Sequence, residues 1–257
     1  MCNIITLITD FGVDYYPGVV KGVIATINPA VKVIDITHQI RSYDISAGAY
    51  VLECSYKYFP KGSIHLVVVD PGVGSARDGV IVEAEGYYFI GPDNGLFGWL
   101  TQLANRIIKL DNKPEYCLSP IDNTFHARDI FAPTAAYLSS GVDIDQFGRP
   151  VDKLVPTPLP RVEVTKNIIK GEIIYIDHFG NLITNITKNI LKNDAGINIK
   201  INNHVIDGIV RCYDDVKKGE ILALWGSSGR LEISVNQGSA KDMLDTDVGA
   251  SVIITQK

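Results

Sequence analysis

Cysteine is sparse and never paired. Cys2, Cys54, Cys117 and Cys212 are scattered through 257 residues, with none of the short double spacings of zinc sites and no density suggesting a disulfide framework. They read as small apolar residues of a reducing, cytoplasmic protein. Basic runs are missing too. A net charge of -5 and a pI near 5.5 supply no positive field for a phosphate backbone, so nucleic acid is not expected as a partner. No apolar stretch approaches the about 18 residues of a membrane span. The amino-terminal segment lacks a positively charged region and meets Asp10 after a few apolar residues, unlike a secretory signal. Neither an internal repeat nor a low-complexity tract is visible.

What is present is an alternation of two periods. Ile4–Thr9, Val31–Ile36, Ile64–Val69 and Val80–Glu83 are short β-branched runs that predict strands, while Gly18–Asn28 and Ile45–Tyr58 carry apolar residues at helical steps. This pattern predicts an α/β domain with a mainly parallel sheet over residues 1–152. From Gly148 to Pro160, four prolines disfavour both helix and central strand, and the stretch reads as a linker. Beyond it, short runs separated by turns (Gly171–Ile176, Leu182–Ile186, Ile197–Ile201, Ile221–Trp225, Leu231–Val235, Ser251–Thr255) predict a smaller β-barrel-like domain over residues 162–257.

Polar residues gather at several strand ends. Asp10, in Thr9-Asp10-Phe11-Gly12, either accepts two hydrogen bonds from a vicinal diol such as a ribose or caps the next turn. It is not a kinase motif, because the Gly-rich loop and catalytic loop of kinases are absent. Asp70 ends an apolar run and Arg77 follows seven residues later across a glycine-rich turn. The two form either one pocket or a surface ion pair. No Gly-Lys-[Ser/Thr] ends that loop, so it is not a phosphate-binding Walker loop. His126, Arg128 and Asp129 crowd one loop-to-helix junction, where His126 reads as catalyst or structural residue and Asp129 as a charge at a helix amino terminus. Asp177, Phe179 and Asn181, with the Ser227-Ser228 turn, are either hairpin turns or a polar and aromatic wall for a heterocycle. The Cys, His and carboxylate spacing of a hydrolytic metal site is missing, as is the Gly-x-Ser-x-Gly elbow of α/β hydrolases.

Six segments in order closely resemble the S-adenosylmethionine hydrolase family (S-adenosyl-L-methionine hydroxide adenosyltransferases), which shares its fold with the fluorinase and chlorinase halogenases. They are Ile8–Gly12, Val69–Gly74, Gly91–Gly95, Phe125–Asp129, Asp177–Asn181 and Val235–Ala240. The resemblance implies hydrolysis of S-adenosylmethionine to adenosine and methionine without cofactor or metal, in a homotrimer with active sites between subunits. It assigns catalysis to Asp70, Arg77 and His126 and ribose binding to Asp10. Phe179 and Asn181 fall around the nucleoside, and Asp177, Ser227, Ser228 and Glu232 are assigned more loosely to substrate. One departure is Ala127, where the family pattern leads one to expect glycine. Two other readings stay open: a halogenase, disfavoured because Asp70 would repel a halide, and a non-catalytic protein that binds S-adenosylmethionine or adenosine.

Overall fold

The computed structural model describes residues 3–191 and 196–256, so Cys2 lies outside the described residues. The chain divides into two compact units, Met1–Pro158 and Leu159–Lys257.

The first unit contains β1 (Ile4–Thr9), α1 (Tyr16–Ile27), β2 (Lys32–Thr37), α2 (Ile45–Ser55), β3 (Ile64–Val68), β4 (Gly79–Ala84), β5 (Tyr87–Pro92), β6 (Ala104–Leu110), α3 (Ala132–Ser139) and β7 (Gly148–Pro150). Their order across the sheet is β2-β1-β3-β5-β4-β6-β7. The α/β class expected from the sequence is what the chain adopts. Pairing is parallel from β2 to β5 and antiparallel from β5 to β7. The change of direction is made by a two-residue hairpin in which Ala84 pairs with Tyr87. Its turn residues Glu85 and Gly86 have φ of 49° and 78°, the positive values that match the twist of a tight hairpin. All five residues of β3 are buried, as a strand covered on both faces requires. Val20 and Ile24 of α1 and the alanines of α3 join β1 and β3 in one apolar cluster.

The proline-rich stretch read as a linker is instead laid down on the first unit as far as Pro158. Gly148–Pro150 closes the sheet edge as β7. Val155 then donates its N–H to Asp93 Oδ1 at 2.9 Å, and Thr157 Oγ1 accepts from the N–H of Trp99 at 3.1 Å. Gly98 is there because of this strap: a Cβ would stand 2.2 Å from the Thr157 nitrogen, so any larger residue would lift the segment off.

The second unit is an antiparallel, nearly closed sheet. It comprises β8 (Glu163–Val164), β9 (Ile168–Ile176), β10 (Leu182–Thr187), β11 (Ile197–Ile201), β12 (His204–Asp207), β13 (Ile221–Trp225), β14 (Arg230–Val235), a short helix α4 (Ala240–Leu244) and β15 (Ser251–Gln256). The order is β12-β11-β15-β9-β10-β14-β13, with β8 on β9. β9 is shared, its first half pairing with β15 and its second with β10, which curls the sheet around a core of isoleucines and leucines. A bridge between Val210 and Leu224 links the segment after β12 to β13. Among the described residues no helix is long and apolar enough to cross a membrane.

Candidate active site

β1 and β3 are parallel neighbours in the register Thr9 to Val68, so the chain leaves both strands at the same end and sets Asp10 and Asp70 side by side. Ligands of open α/β sheets gather at this end of the strands. Asn94 fixes the exit from β3 by donating its Nδ2–H to the Val69 carbonyl at 2.9 Å, which gives the Gly91–Gly95 segment a structural purpose.

From Asp70 the loop turns back through Gly74, whose φ of 77° and 2.3 Å clearance between a built Cβ and the Asn123 carbonyl oxygen exclude any other residue. The turn returns Arg77 onto Asp70. Nε donates to Oδ1 at 3.0 Å and to Oδ2 at 3.1 Å, and Nη2 donates to Oδ2 as well. The same Nη2 lies 2.8 Å from Nδ1 of His126. Both members of the ion pair are nearly inaccessible, at 11% and 6% side-chain exposure, and the guanidinium sits 5.2 Å from the centre of the Phe131 ring.

This contact settles the histidine's protonation. A guanidinium has donors only, so Nδ1 of His126 is the acceptor and the neutral ring carries its proton on Nε2. Burial, followed by the Arg77 cation, lowers the His126 pKa against the opposing pull of Asp70, Asp129 and Asp122.

His126 is set in place by a single π-helical turn, Ala127–Phe131, that leads into α3. Pro133 has no N–H for the carbonyl four residues back, and that carbonyl, of Asp129, accepts from Leu118 at 2.8 Å instead. The Asp129 side chain does not simply face a helix dipole. It holds Arg128 through two hydrogen bonds of 2.6 and 2.9 Å and accepts the Asp122 N–H at 2.8 Å, which fastens the Asp122–Thr124 loop. Ala127 is buried in the apolar cluster, within a helical turn whose backbone makes no demand for glycine.

Asp10, Asp70 and His126 line a cavity of about 490 Å³ together with Tyr15, Tyr43 and Phe125. Arg77 stands behind Asp70 and His126. One wall is aromatic: Tyr16 packs edge-on against Phe125 at 5.3 Å and Phe11 lies 6.0 Å from Phe125. Asp10 accepts the Tyr43 N–H on Oδ2 at 2.9 Å and caps no helix; that task falls to Asp44, which accepts from Ala47 at the start of α2. Partial burial raises the Asp10 pKa, the Tyr43 N–H and its own backbone N–H oppose the rise, and the Asp70 carboxylate adds to it.

In the second unit, Asp177 folds its own turn. Oδ1 accepts the N–H groups of Phe179 and Asn181, both at 2.9 Å, and Oδ2 accepts Asn181 Nδ2–H at 2.8 Å. The turn leaves Phe179 largely exposed and Asn181 buried, and both border a hollow of about 320 Å³ with Tyr213, Val235, Gln237 and Gly238. Ser227 and Ser228 are exposed at the tip of the β13–β14 hairpin and do not line this hollow. Glu232 is buried and accepts from Tyr213 Oη at 2.6 Å and Ser234 Oγ at 2.8 Å. Among the described residues no group of three or more His, Cys, Asp and Glu side chains is gathered as a metal site.

The profile of the SAM hydroxide adenosyltransferase N-terminal domain matches residues 5–148, and that of the C-terminal domain matches residues 171–253. The chain belongs to the SAM hydroxide adenosyltransferase family. It is 36% identical over 256 residues to the (R)-S-adenosyl-L-methionine hydrolase of Thermus thermophilus, covering 95% of this chain and 96% of that protein. Identity to the (R)-S-adenosyl-L-methionine hydrolase of Methanocaldococcus jannaschii is 39% over 263 residues, covering 95% and 93%. The relation to halogenases holds as well, with 27% identity over 292 residues to the fluorinase of an Actinoplanes species. A crystal structure of a conserved protein from Thermotoga maritima is similar with a TM-score of 0.90 at 31% identity, covering 98% of this chain and all of that one.

Several residues lining the two hollows escape a reading of the sequence. No motif marks Tyr15, Tyr16 and Tyr43, although the Asp-Tyr-Tyr-Pro run so soon after Asp10 is a usable signal. Tyr213 joins Val235 and Gln237 only in the folded unit, where its hydroxyl donates to Glu232 of β14.

Proposed function

We propose that this protein hydrolyses S-adenosylmethionine, in the (R) form that the names of its relatives specify, to adenosine, L-methionine and a proton. The observation that carries the reading is the Asp70–Arg77–His126 chain bordering a cavity at the strand ends. Asp70 anchors Arg77, Arg77 fixes the tautomer of His126, and His126 Nε2–H becomes a donor for the attacking oxygen. The adjacent guanidinium cation favours hydroxide over water. Hydroxide forms its bond to the 5′ carbon as the carbon–sulfur bond breaks, the electron pair goes to sulfur, and opposite charges collapse. Excluding solvent from the cavity speeds that step. Asp10 holds the ribose diol, with Phe179 and Asn181 contributing to the nucleoside and Asp177, Ser227, Ser228 and Glu232 to the remainder of the substrate.

Chromatography of the purified protein incubated with each sulfonium epimer tests this directly. Adenosine and methionine should appear in equal amounts, with turnover retained after exhaustive chelation. In a parallel incubation with halide added, a 5′-halo-5′-deoxyadenosine formed in place of adenosine would support a halogenase, and no product in either incubation a binding protein. Strict dependence on a divalent ion would sink the mechanism.

The same proposal divides the work between the α/β first unit and the barrel-like second unit, in a cytoplasmic homotrimer whose active sites lie between subunits. Its support is that polar and aromatic hollows of about 490 and about 320 Å³ occur separately in the two units. Mixing His126→Ala with Asn181→Ala after dissociation should restore activity, because some interfaces would carry neither lesion. No recovery, with mixed trimers verified by native mass spectrometry, would place each site in one chain.

A further inference from the structure

Asp10 is held by a strap that the catalytic chain does not touch. The segment from His38 to Tyr43 makes four contacts with residues 9–12: Gly12 N–H to the His38 carbonyl at 2.7 Å, Ile40 N–H to the Thr9 carbonyl at 3.3 Å, Thr9 Oγ1 with His38 Nδ1 at 2.9 Å, and Tyr43 N–H to Asp10 Oδ2 at 2.9 Å. Only the third is made by a side chain of the strap, and its far side is anchored too. His38 Nε2 lies 3.2 Å from Asp35 Oδ1, in a geometry that falls short of a full hydrogen bond. Asp35 is paired with Lys21 of α1. Partial burial opposes the Asp35 carboxylate, but Lys21 and His38 outweigh it and hold its pKa below the ordinary value.

The donors along this line all run one way. Phe11 N–H points to Thr9 Oγ1 at 3.3 Å, so the hydroxyl proton is free for His38 Nδ1, and Nε2–H then faces Asp35. Thr9 is the residue immediately before Asp10 and is buried, so its hydroxyl sets the direction in which the chain leaves β1.

We propose that His38 is a positioning residue: through the Thr9 hydroxyl it aims Asp10 at the ribose diol, and so sets the discrimination between ribosides and deoxyribosides. This rests on the reading of Asp10 as the diol ligand. Calorimetric titration of the whole protein with adenosine and with 2′-deoxyadenosine gives the ratio of their dissociation constants. The ratio should be tenfold or more for the unaltered protein and close to one for Asp10→Ala. In His38→Ala and in Thr9→Val, a near-isosteric change that removes only the hydroxyl, it should fall to threefold or less. In both variants KM for S-adenosylmethionine should rise about tenfold while kcat stays within threefold. His38→Asn places a polar group where Nδ1 was and should keep the ratio; His38→Gln, which reaches toward Asp35 instead, should not. A merely structural role would not separate Asn from Gln in this way. No discrimination in the unaltered protein, or its survival in Asp10→Ala, would remove the diol reading and the inference with it. Collapse in Asp10→Ala with survival in both His38→Ala and Thr9→Val would overturn the inference alone.

Discussion

Arg77→Ala should lower kcat/KM by about two to three orders of magnitude, the range seen when a preorganised donor at a reacting centre is removed. The loss has two sources. His126 Nδ1 is left without its donor, so the ring is free to change tautomer, and the attacking oxygen loses the neighbouring cation. Asp70, almost fully buried, also loses its partner, which for a buried pair costs about 3–5 kcal/mol of stability unless the carboxyl takes up a proton. Arg77→Lys separates charge from geometry. A lysine keeps the cation but cannot grip Asp70 through a fork while serving His126, so it should remain at least a hundredfold below the unaltered protein. Steady-state hydrolysis rates alongside urea melts check both halves. A lysine variant within tenfold of full activity would mean that only the charge is used.

Acid should destabilise the first unit through His65, a residue far from any catalytic assignment. His65 lies in β3 with no exposure, bonded at Nδ1 to Thr6 Oγ1 at 2.7 Å and stacked 5.2 Å from Phe89. Burial lowers its pKa to about 4. Between about 4 and the ordinary value near 6.5 the unfolded chain therefore holds a proton that the folded one does not, and stability rises with pH across that window. Full effect amounts to about 3 kcal/mol at 1.36 kcal/mol per pH unit, or on the order of 6–12 °C in Tm for a domain of this size. His126, also lowered, adds in the same direction. Comparing Tm at pH 7 and pH 4 for the unaltered protein and His65→Asn should show a much shallower acid loss in the variant. Parallel curves would exclude His65 as the source.

Much of the fold is written locally. Ile4–Thr9, Ile197–Ile201 and Ile221–Trp225 form strands over the very residues that their β-branched and apolar runs predict. β5 and β6 are not legible in the sequence, because Tyr87–Pro92 and Ala104–Leu110 lack clean alternation and owe their strand state to pairing with neighbouring strands. Asp70, Arg77 and His126 could be named because each sits in a recognisable motif, and the first two are close in sequence. The Thr9–His38 contact spans 29 residues and has no spacing to betray it; only the parallel register of β1 with β2 creates it. Asp129 shows the opposite case, a charged residue noticed in sequence whose work is to fasten the Asp122 loop.

The strap from Val155 to Pro158 fixes where the first unit can be severed. A seam cut at the first proline of the run, Pro150, would discard the Val155 N–H that Asp93 accepts. Burial raises the Asp93 pKa and that N–H restrains it, while the nearby Asp78 charge adds to the rise. An excised fragment ending before Val155 would carry an acid driven toward its neutral form and an open groove at Gly95 and Gly98, surfaces inviting self-association. Chimeras and separately expressed halves therefore have their natural seam after Pro158, downstream of most of the prolines that advertise a break.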